Sequence, residues 1–477
     1  MNGNRPGLLK AIILLALGWL ANCASALEVG FGEADITPDL NGPQPVWLAG
    51  YGTGRQATGV HDPLLARCLV LHSGGEKIAL VSVDLIGLQF PTVQKIRAGL
   101  TGFKYVLVAS THNHEGPDVI GIWGRGPLSR GVNDDYLGLV VERVIEAVRR
   151  ASAALTPVTA SYGTAVDETL LHDGRLPVVK DGVLRLVRFQ KVGGKEPAGL
   201  LVQWNCHPEA AGSKNHLVTA DFPATTIQSL QAKYHCPIIY FSGAIGGLLA
   251  PPRGGRIGKT VEGKFVELRE GDFEYVRAYG HAVADLAIQA ADQAEPLAIE
   301  PFQVSTKTIA IPVENALYRA ARVARIVIRD GYLWTGDFEK IGDRQTMENV
   351  DKVGSVLTEV AYLRMGDLHL ACLPGELYPE LVYGKFQNPV EPNVDFPTAA
   401  LEPSVASILP GPKWLLFGLA NDELGYIIPK RQWDRESPFA YGRERPQYGE
   451  INSCGPEVAP ILLEALRRRV KETNVAP

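Results

Sequence analysis

Apolar runs that end abruptly in polar, glycine or proline residues recur along the chain. Such runs predict buried strands of an α/β core. We expect strands at residues 78–84, 105–109, 200–207, 238–241, 368–373 and 414–419. Apolar residues spaced three and four apart predict helices at 134–153, 222–234, 273–293 and 456–472. The pattern therefore predicts a mixed α/β fold in which central β-sheets are flanked by helices.

The rest of the pattern favours one folded unit. The chain has 477 residues, of which 46% are hydrophobic and 21% charged, and this balance excludes disordered and fibrous classes. Residues 384–412 contain six prolines and predict a long ordered loop. Because no repeat and no low-complexity linker divides the chain, we expect residues 27–477 to form a single catalytic domain.

The N-terminus has the pattern of an export signal. Basic residues precede the apolar run 11–21, and small residues at 24–26 provide a cleavage site. We therefore expect residues 1–26 to be a signal peptide and the mature protein to be periplasmic or secreted. The segment before Cys23 resembles a lipoprotein signal only weakly, which favours cleavage after Ala26 over lipidation.

Charge and cysteine content narrow the class of partner. Removing residues 1–26 takes away two bases and no acids, so the formal net charge changes from −5 to −7. No basic block stands out, which argues against nucleic acid. No later apolar run is long enough to cross a membrane. The remaining cysteines are widely spaced, which excludes a cysteine zinc knuckle but permits a disulfide. The sequence does not specify an oligomeric state.

Histidines stand where predicted strands end. His112 and His114 follow the strand at 105–109, and an i, i+2 spacing on an extended segment turns both imidazoles to one face. His207 ends another predicted strand. Three histidines at two strand ends, in an exported protein without a cysteine site, favour a metal centre over isolated core histidines.

Other polar residues at strand ends and in loops are secondary candidates. Glu376 follows a Pro-Gly turn and can be a ligand, a base or a helix N-terminal charge. Asp84 ends a strand and is a candidate for orienting a ligand histidine. Trp123, Arg125 and Arg253 lie in Gly/Pro-rich loops and are candidates for binding a polar or anionic group of the substrate.

Several blocks together resemble the catalytic domain of the neutral/alkaline, non-lysosomal ceramidases. They are 29–38 (VGFGEADITP), 59–67 (GVHDPLLAR), 82–84 (SVD), 111–117 (THNHEGP), 204–208 (WNCHP), 373–376 (LPGE) and 421–426 (NDELGY). The resemblance rests on their order and spacing from about residue 28 to 452. It implies a zinc amidase whose single ion is held by two histidines, a glutamate and a tyrosine. Carried over position by position, these are His112, His207, Glu376 and Tyr426, while His114 lies beside the metal and contacts the substrate.

The sequence departs from that family in two places. The family's Gly-Asp-x-Ser-Pro-like block, whose serine lies in the active site, corresponds here to 247–251 (GLLAP), so Ala250 replaces the serine. Alanine cannot act as a nucleophile. Ser242 is a poor substitute, for which a structural role is favoured. The family's C-terminal β-domain is not expected in this sequence, which weakens ceramide itself as the substrate.

These observations favour a zinc-dependent hydrolase. Its substrate bond would be an amide, either of a ceramide-like lipid or of another N-acyl compound, or an ester. Zinc-activated water would replace the serine, with His114 as the catalytic proton donor or oxyanion stabiliser. The substrate is expected to be a small molecule or lipid-like. Two alternatives remain: a metal-assisted lyase or isomerase acting on a polar substrate, and a catalytically silent metal-containing binding protein.

Overall fold

A computed structural model describes residues 27–252 and 271–474. The signal peptide expected at 1–26, including Cys23, and the candidate Arg253 lie outside the described residues. The larger sheet contains nine strands. They are β1 (Glu28–Asp35), β2 (Leu65–Ser73), β3 (Glu76–Val83), β4 (Tyr105–Ser110), β5 (Thr156–Val166), β6 (Val183–Lys191), β7 (Pro197–Trp204), β8 (Ile238–Ser242) and β9 (Glu295–Leu297). The strand order is β8-β7-β6-β5-β1-β2-β3-β4, and β9 pairs with β5.

A smaller sheet packs against the larger one. Its main strands are β10 (Phe302–Val313), β11 (Gly354–Met365), β12 (Leu368–Cys372) and β13 (Trp414–Phe417), in that order, with Tyr332–Leu333 pairing with β11. Leu107 and Phe241 of the larger sheet share one buried cluster with Leu363 and Phe417 of the smaller sheet. The two sheets therefore enclose an apolar core between them.

Helices cover the outer faces of both sheets. They are α1 (Phe90–Ala98), α2 (Asp134–Ala153), α3 (Phe222–Tyr234), α4 (Phe273–Asp292), α5 (Ala316–Val323), α6 (Glu380–Tyr383), α7 (Val405–Ile408) and α8 (Val458–Asn474). The first four pack on the larger sheet and α8 on the smaller one. The mixed α/β fold with sheets flanked by helices, predicted from the sequence, is confirmed. Within the described residues, no helix is long and apolar enough to cross a membrane.

The predicted elements agree with the structure to within a few residues. All six predicted strands and all four predicted helices are present, and the helix expected at 456–472 lies at Val458–Asn474. The proline-rich segment 384–412 contains only the one-turn helix α7 and no strand. Cys68, Cys206, Cys236, Cys372 and Cys454 are all buried and free, so the permitted disulfide does not form among them.

Close packing of α2 on β1 depends on glycine. A Cβ added to Gly30 would overlap the carbonyl oxygen of Ala151, whereas a Cβ on the exposed helical Gly138 would meet nothing. We therefore expect Gly30→Ala to destabilise the protein by about 1–3 kcal/mol. The matched control Gly138→Ala should stabilise it by about 0.5–1 kcal/mol, because alanine is the better helix former. Denaturant unfolding measures both changes in the free energy of unfolding. If Gly30→Ala and Gly138→Ala changed it by the same amount in the same direction, this packing would be contradicted.

Candidate metal centre

The histidines meet where the two ends of the larger sheet approach each other. The hydroxyl of Ser82 on β3 donates to the carbonyl of Tyr240 on β8 at 2.5 Å, and Ser242 donates to the carbonyl of Thr111 at 2.7 Å. These bonds bring the segments that follow β4 and β7 together. His112 and His114 follow β4, and His207 follows β7, so all three imidazoles enter one buried space.

The backbone of His112 is left-handed, with φ of 66°. The extended segment expected for the i, i+2 pair is therefore wrong, because the strand ends at Ser110 and the chain turns immediately. The side-chain amide of Asn113 holds the turn by donating to the backbone carbonyl of Asp84 at 3.2 Å and to that of Thr219 at 2.8 Å. The rings of His112 and His114 still converge, with centroids 4.9 Å apart.

Backbone carbonyls orient two of the three imidazoles. The Nδ1 atom of His112 lies 2.7 Å from the carbonyl of Ile86, and that of His207 lies 2.8 Å from the carbonyl of Leu249. A carbonyl can only accept, so Nδ1 carries the proton in each ring and Nε2 is left for another partner. This is the arrangement typical of metal-ligating histidines.

Both free Nε2 atoms face one carboxylate. Oε2 of Glu376 lies 2.9 Å from Nε2 of His207 and 3.4 Å from Nε2 of His112. Glu376 enters from the loop after β12, and its two-residue strand Glu376–Leu377 pairs in parallel with Tyr426–Ile427. This pairing sets Glu376 opposite Tyr426, whose side chain helps to lower the pKa of the Glu376 carboxyl.

Burial and these contacts determine the charges. Burial lowers the pKa of His112 to about 4. For His207 and Glu376, burial disfavours the charged forms, but the ion pair between them prevails: it raises the pKa of His207 and, with His112, lowers that of Glu376. Burial and the charge of Glu376 raise the pKa of Tyr426 well above 10. The carboxylate of Glu376 beside two imidazole nitrogens therefore favours a cation at this position.

His114 differs from the other two histidines. Neither of its ring nitrogens makes a hydrogen bond within the described residues, although both are buried. Oε2 of Glu209 lies 3.5 Å from its Nδ1, and the ring of Tyr51 meets it edge-on at 5.0 Å. Burial and the neighbouring histidines lower the pKa of His114 well below 6.5, so its imidazole is neutral at pH 7. It is positioned to bind something in the site rather than to support another side chain.

Residues from the segment 49–55, which sequence reasoning did not single out, support His114. The buried guanidinium of Arg55 donates to the carbonyls of Ala49, at 2.7 Å, and of His114. It lies over the ring of Tyr51 at 4.6 Å. A Cβ on Gly50 would collide with the ring of His114, so the loop packs directly against it. No local motif signals this long-range contact.

The secondary candidates lie elsewhere. The carboxylate of Asp84 accepts from the amide of Leu65 at 2.9 Å and from Arg67 at 2.7 Å. The carbonyls of Ile86 and Leu249 orient His112 and His207, and no hydrogen bond links the Asp84 carboxylate to a histidine among the described residues. Trp123 packs against the core under α2, and Arg125 is exposed.

The serine and alanine singled out in the sequence both lie near the histidines. Ser242 uses its hydroxyl to bond Thr111, as the structural role requires. Ala250 is buried and directly follows Leu249, whose carbonyl accepts from His207. No hydroxyl is therefore available at the position of the family's serine.

The donor set fits a divalent metal ion. Ligand atoms of His112, His114 and His207 all lie within 4.8 Å of one another, and all three residues are buried. Glu376 adds an oxygen at hydrogen-bond distance from one of these nitrogens. Nitrogen and oxygen donors of this kind suit zinc and related ions. The ring nitrogens of His114 make no hydrogen bond within the described residues, so His114 offers a further nitrogen ligand atom.

Comparison with known proteins identifies the fold. The crystal structure of neutral ceramidase from Pseudomonas aeruginosa superimposes with a TM-score of 0.67 at 16% sequence identity, over 93% of this chain and 74% of that chain. A ceramidase complexed with C2 gives a TM-score of 0.66 at 17% identity, over 94% and 75%. No family model and no curated protein matches the sequence. The chain therefore shares the fold of these ceramidases at an identity that establishes fold alone.

Proposed function

We propose that the protein is a metal-dependent hydrolase that cleaves an N-acyl amide bond without a protein nucleophile. The observation that carries the proposal is the orientation of His112 and His207, whose Nε2 atoms face Glu376 while carbonyls hold their Nδ1 atoms. A silent binding protein would not need two preoriented imidazoles around a buried carboxylate. The shared ceramidase fold supports an amide of a lipid-like acid as the substrate.

His112, His207, Glu376 and Tyr426 would hold the ion, which we infer to be zinc. When bound, zinc would act as a Lewis acid that polarises the substrate carbonyl. It would also lower the pKa of a water molecule bound to it to about 7. Tyr426 is suited to this role because it lies opposite Glu376 in the parallel pair of short strands. His114 stays outside the ligand set, because no hydrogen bond from the described residues fixes either of its ring nitrogens.

His114 would act on the substrate as a neutral imidazole. The sequence led us to expect an imidazole that exchanges protons near pH 6.5, but burial lowers the pKa of His114 well below that value. A neutral ring donates a hydrogen bond from one nitrogen and accepts on the other. It can therefore stabilise the oxyanion that develops on the carbonyl and take up a proton during the reaction. Ala250 leaves no hydroxyl to form an acyl-enzyme.

Metal analysis and turnover together test the proposal. Purified protein should contain about one zinc per chain, the ratio of a single-ion site, and hydrolyse members of a panel of N-acyl amides of varied acyl length. Apoprotein should be inactive and recover on addition of zinc. Equal release of acid and amine identifies hydrolysis. An unsaturated product would instead indicate a lyase, and metal without turnover on amides and esters would indicate a binding protein.

A further inference from the structure

The helix α5 presents an apolar face to solvent. None of its residues is buried. Leu317 is 61% exposed and Val323 49% exposed, and Ile328, just beyond the helix, is 51% exposed. Ala320 lies between them and is also exposed. The spacing 317, 320, 323 places these side chains along one side of the helix.

Arginines lie beside this apolar face without carboxylate partners among the described residues. No acidic residue lies between Asn315 and Asp330. Arg319 donates to the carbonyl of Val350, and Arg322 donates to that of Arg329, so neither charge is neutralised by these bonds. Among the described residues, none of Arg319, Arg322 and Arg325 forms an ion pair. A helix with one apolar side and flanking arginines is typical of a segment that lies on a membrane surface.

Arg325 occupies an unfavourable backbone position. Its φ is 59°, in the left-handed region that glycine usually fills at the end of a helix. An L-residue there raises the energy of the folded state. The guanidinium is exposed at the edge of the apolar face. The position therefore provides a cation where the backbone alone would favour glycine.

A second exposed loop adjoins α5. A Cβ on Gly121 would overlap the carbonyl of Ile326, so the two backbones touch. The loop that follows exposes Leu128 at 89% and Arg125, and residues 119–133 contain no acid. We call the exposed residues of these two adjoining segments the docking face; they are Leu317, Val323, Arg325 and Ile328 in the first and Arg125 and Leu128 in the second.

The docking face is connected to both sides of the candidate metal centre. The amide of Gly54 donates to the carbonyl of Gly124 at 2.8 Å, and Gly50 of the same loop packs on His114. At the other side, the buried Arg329 donates to Asp422 at 2.9 Å, four residues before Tyr426. Contact at the docking face therefore occurs next to the loops that build the site.

We propose that the docking face binds the surface of a lipid bilayer containing anionic lipids. The exposed leucine, valine and isoleucine would enter the boundary between headgroups and acyl chains, and the arginines would contact phosphate. The occupant is a bilayer rather than a second protein, because the exposed cations beside the apolar residues, Arg125 and Arg325, form no ion pair within the described residues and complement anionic headgroups. This proposal concerns binding and does not rest on the proposed chemistry.

Vesicle sedimentation tests the proposal. The protein is purified as the cell processes it, with its N-terminus defined by mass spectrometry. We expect binding to vesicles of phosphatidylcholine mixed with phosphatidylglycerol, weaker binding to phosphatidylcholine alone, and loss of binding as salt rises. The double variant Leu317→Ser/Val323→Ser should reduce partitioning about tenfold or more. Arg325→Glu should reduce it about fivefold or more.

Matched variants keep the test specific. Val192→Ser changes a valine that is 62% exposed in the hairpin between β6 and β7, and Arg445→Glu makes the same charge change in another exposed loop. Both should bind as the unaltered protein does. Absence of binding to anionic vesicles at low salt, or equal losses in the control variants, would overturn the proposal. So would a dimer in solution that Leu317→Ser/Val323→Ser dissociates, since a second copy would then cover the face. No substrate or metal is required, so the outcome leaves the proposed hydrolase untouched.

Discussion

Replacing His207 with alanine is expected to abolish metal binding and all metal-dependent turnover. The ring of His207 is held on both sides, by the carbonyl of Leu249 at 2.8 Å and by Oε2 of Glu376 at 2.9 Å. Without the imidazole the proposed ion loses a preoriented ligand. Loss of a group that only orients a ligand lowers metal affinity about 10–100-fold, and loss of the ligand His207 itself should lower it further. Metal content after dialysis, measured by mass spectrometry, gives the result.

Folding must be measured beside metal content, because the substitution also leaves the buried carboxylate of Glu376 without its nearest partner. Breaking a buried ion pair costs about 3–5 kcal/mol. His207→Gln keeps a polar side chain in place and serves as a second variant. His281→Ala removes an exposed histidine of α4 and should retain the metal. Folded His207→Gln with unchanged zinc affinity would show that His207 is not a ligand.

The sequence was sufficient for the elements whose apolar character is continuous. The buried strand Tyr105–Ser110 and the amphipathic helix Asp134–Ala153 could be located from composition and spacing alone. The strands Thr156–Val166 and Phe302–Val313 were not singled out. Thr156–Val166 largely alternates in burial and contains threonine, serine and glycine, and the first half of Phe302–Val313 is mostly polar, so pairing with neighbouring strands supplements a weak local signal.

The features of the candidate site also differ in how far the sequence predicts them. His112, His207 and Glu376 follow buried strands, so each could be singled out from the sequence. Their convergence could not be predicted from strand pairing, because β4 and β7 lie near opposite ends of the larger sheet and Glu376 follows the smaller one. The left-handed backbone of His112 could not be predicted, because histidine rarely adopts it and only the surrounding turn requires it. Arg55 and Tyr51 were missed, because they reach His114 through a contact that spans 59 residues of sequence.

His114→Ala should separate catalysis from metal binding. We expect the variant to retain zinc and to lose about 10²–10⁴-fold in turnover, the usual contribution of a positioned proton-transfer group. The expectation follows from geometry: His114 lies 4.9 Å from His112 and 5.5 Å from His207 between ring centroids, yet within the described part of the chain neither of its nitrogens makes a hydrogen bond. A ligand would be expected to have such a partner, as His112 and His207 do.

The outcome for His114→Ala distinguishes three arrangements of the site. Loss of zinc together with activity would place His114 among the ligands, making a three-histidine centre of the kind its nitrogen positions allow. Full activity with zinc retained would remove it from the reaction. An acyl-enzyme trapped on a serine, such as Ser242, would contradict the proposed hydrolysis. The hydroxyl of Ser242 is already donated to Thr111 at 2.7 Å, and Ala250 has none. We therefore expect zinc to remain, turnover to fall, and no covalent intermediate to accumulate. His216→Ala is the unaffected control, because His216 is exposed and its imidazole contacts the carbonyl of Gln56 rather than the site.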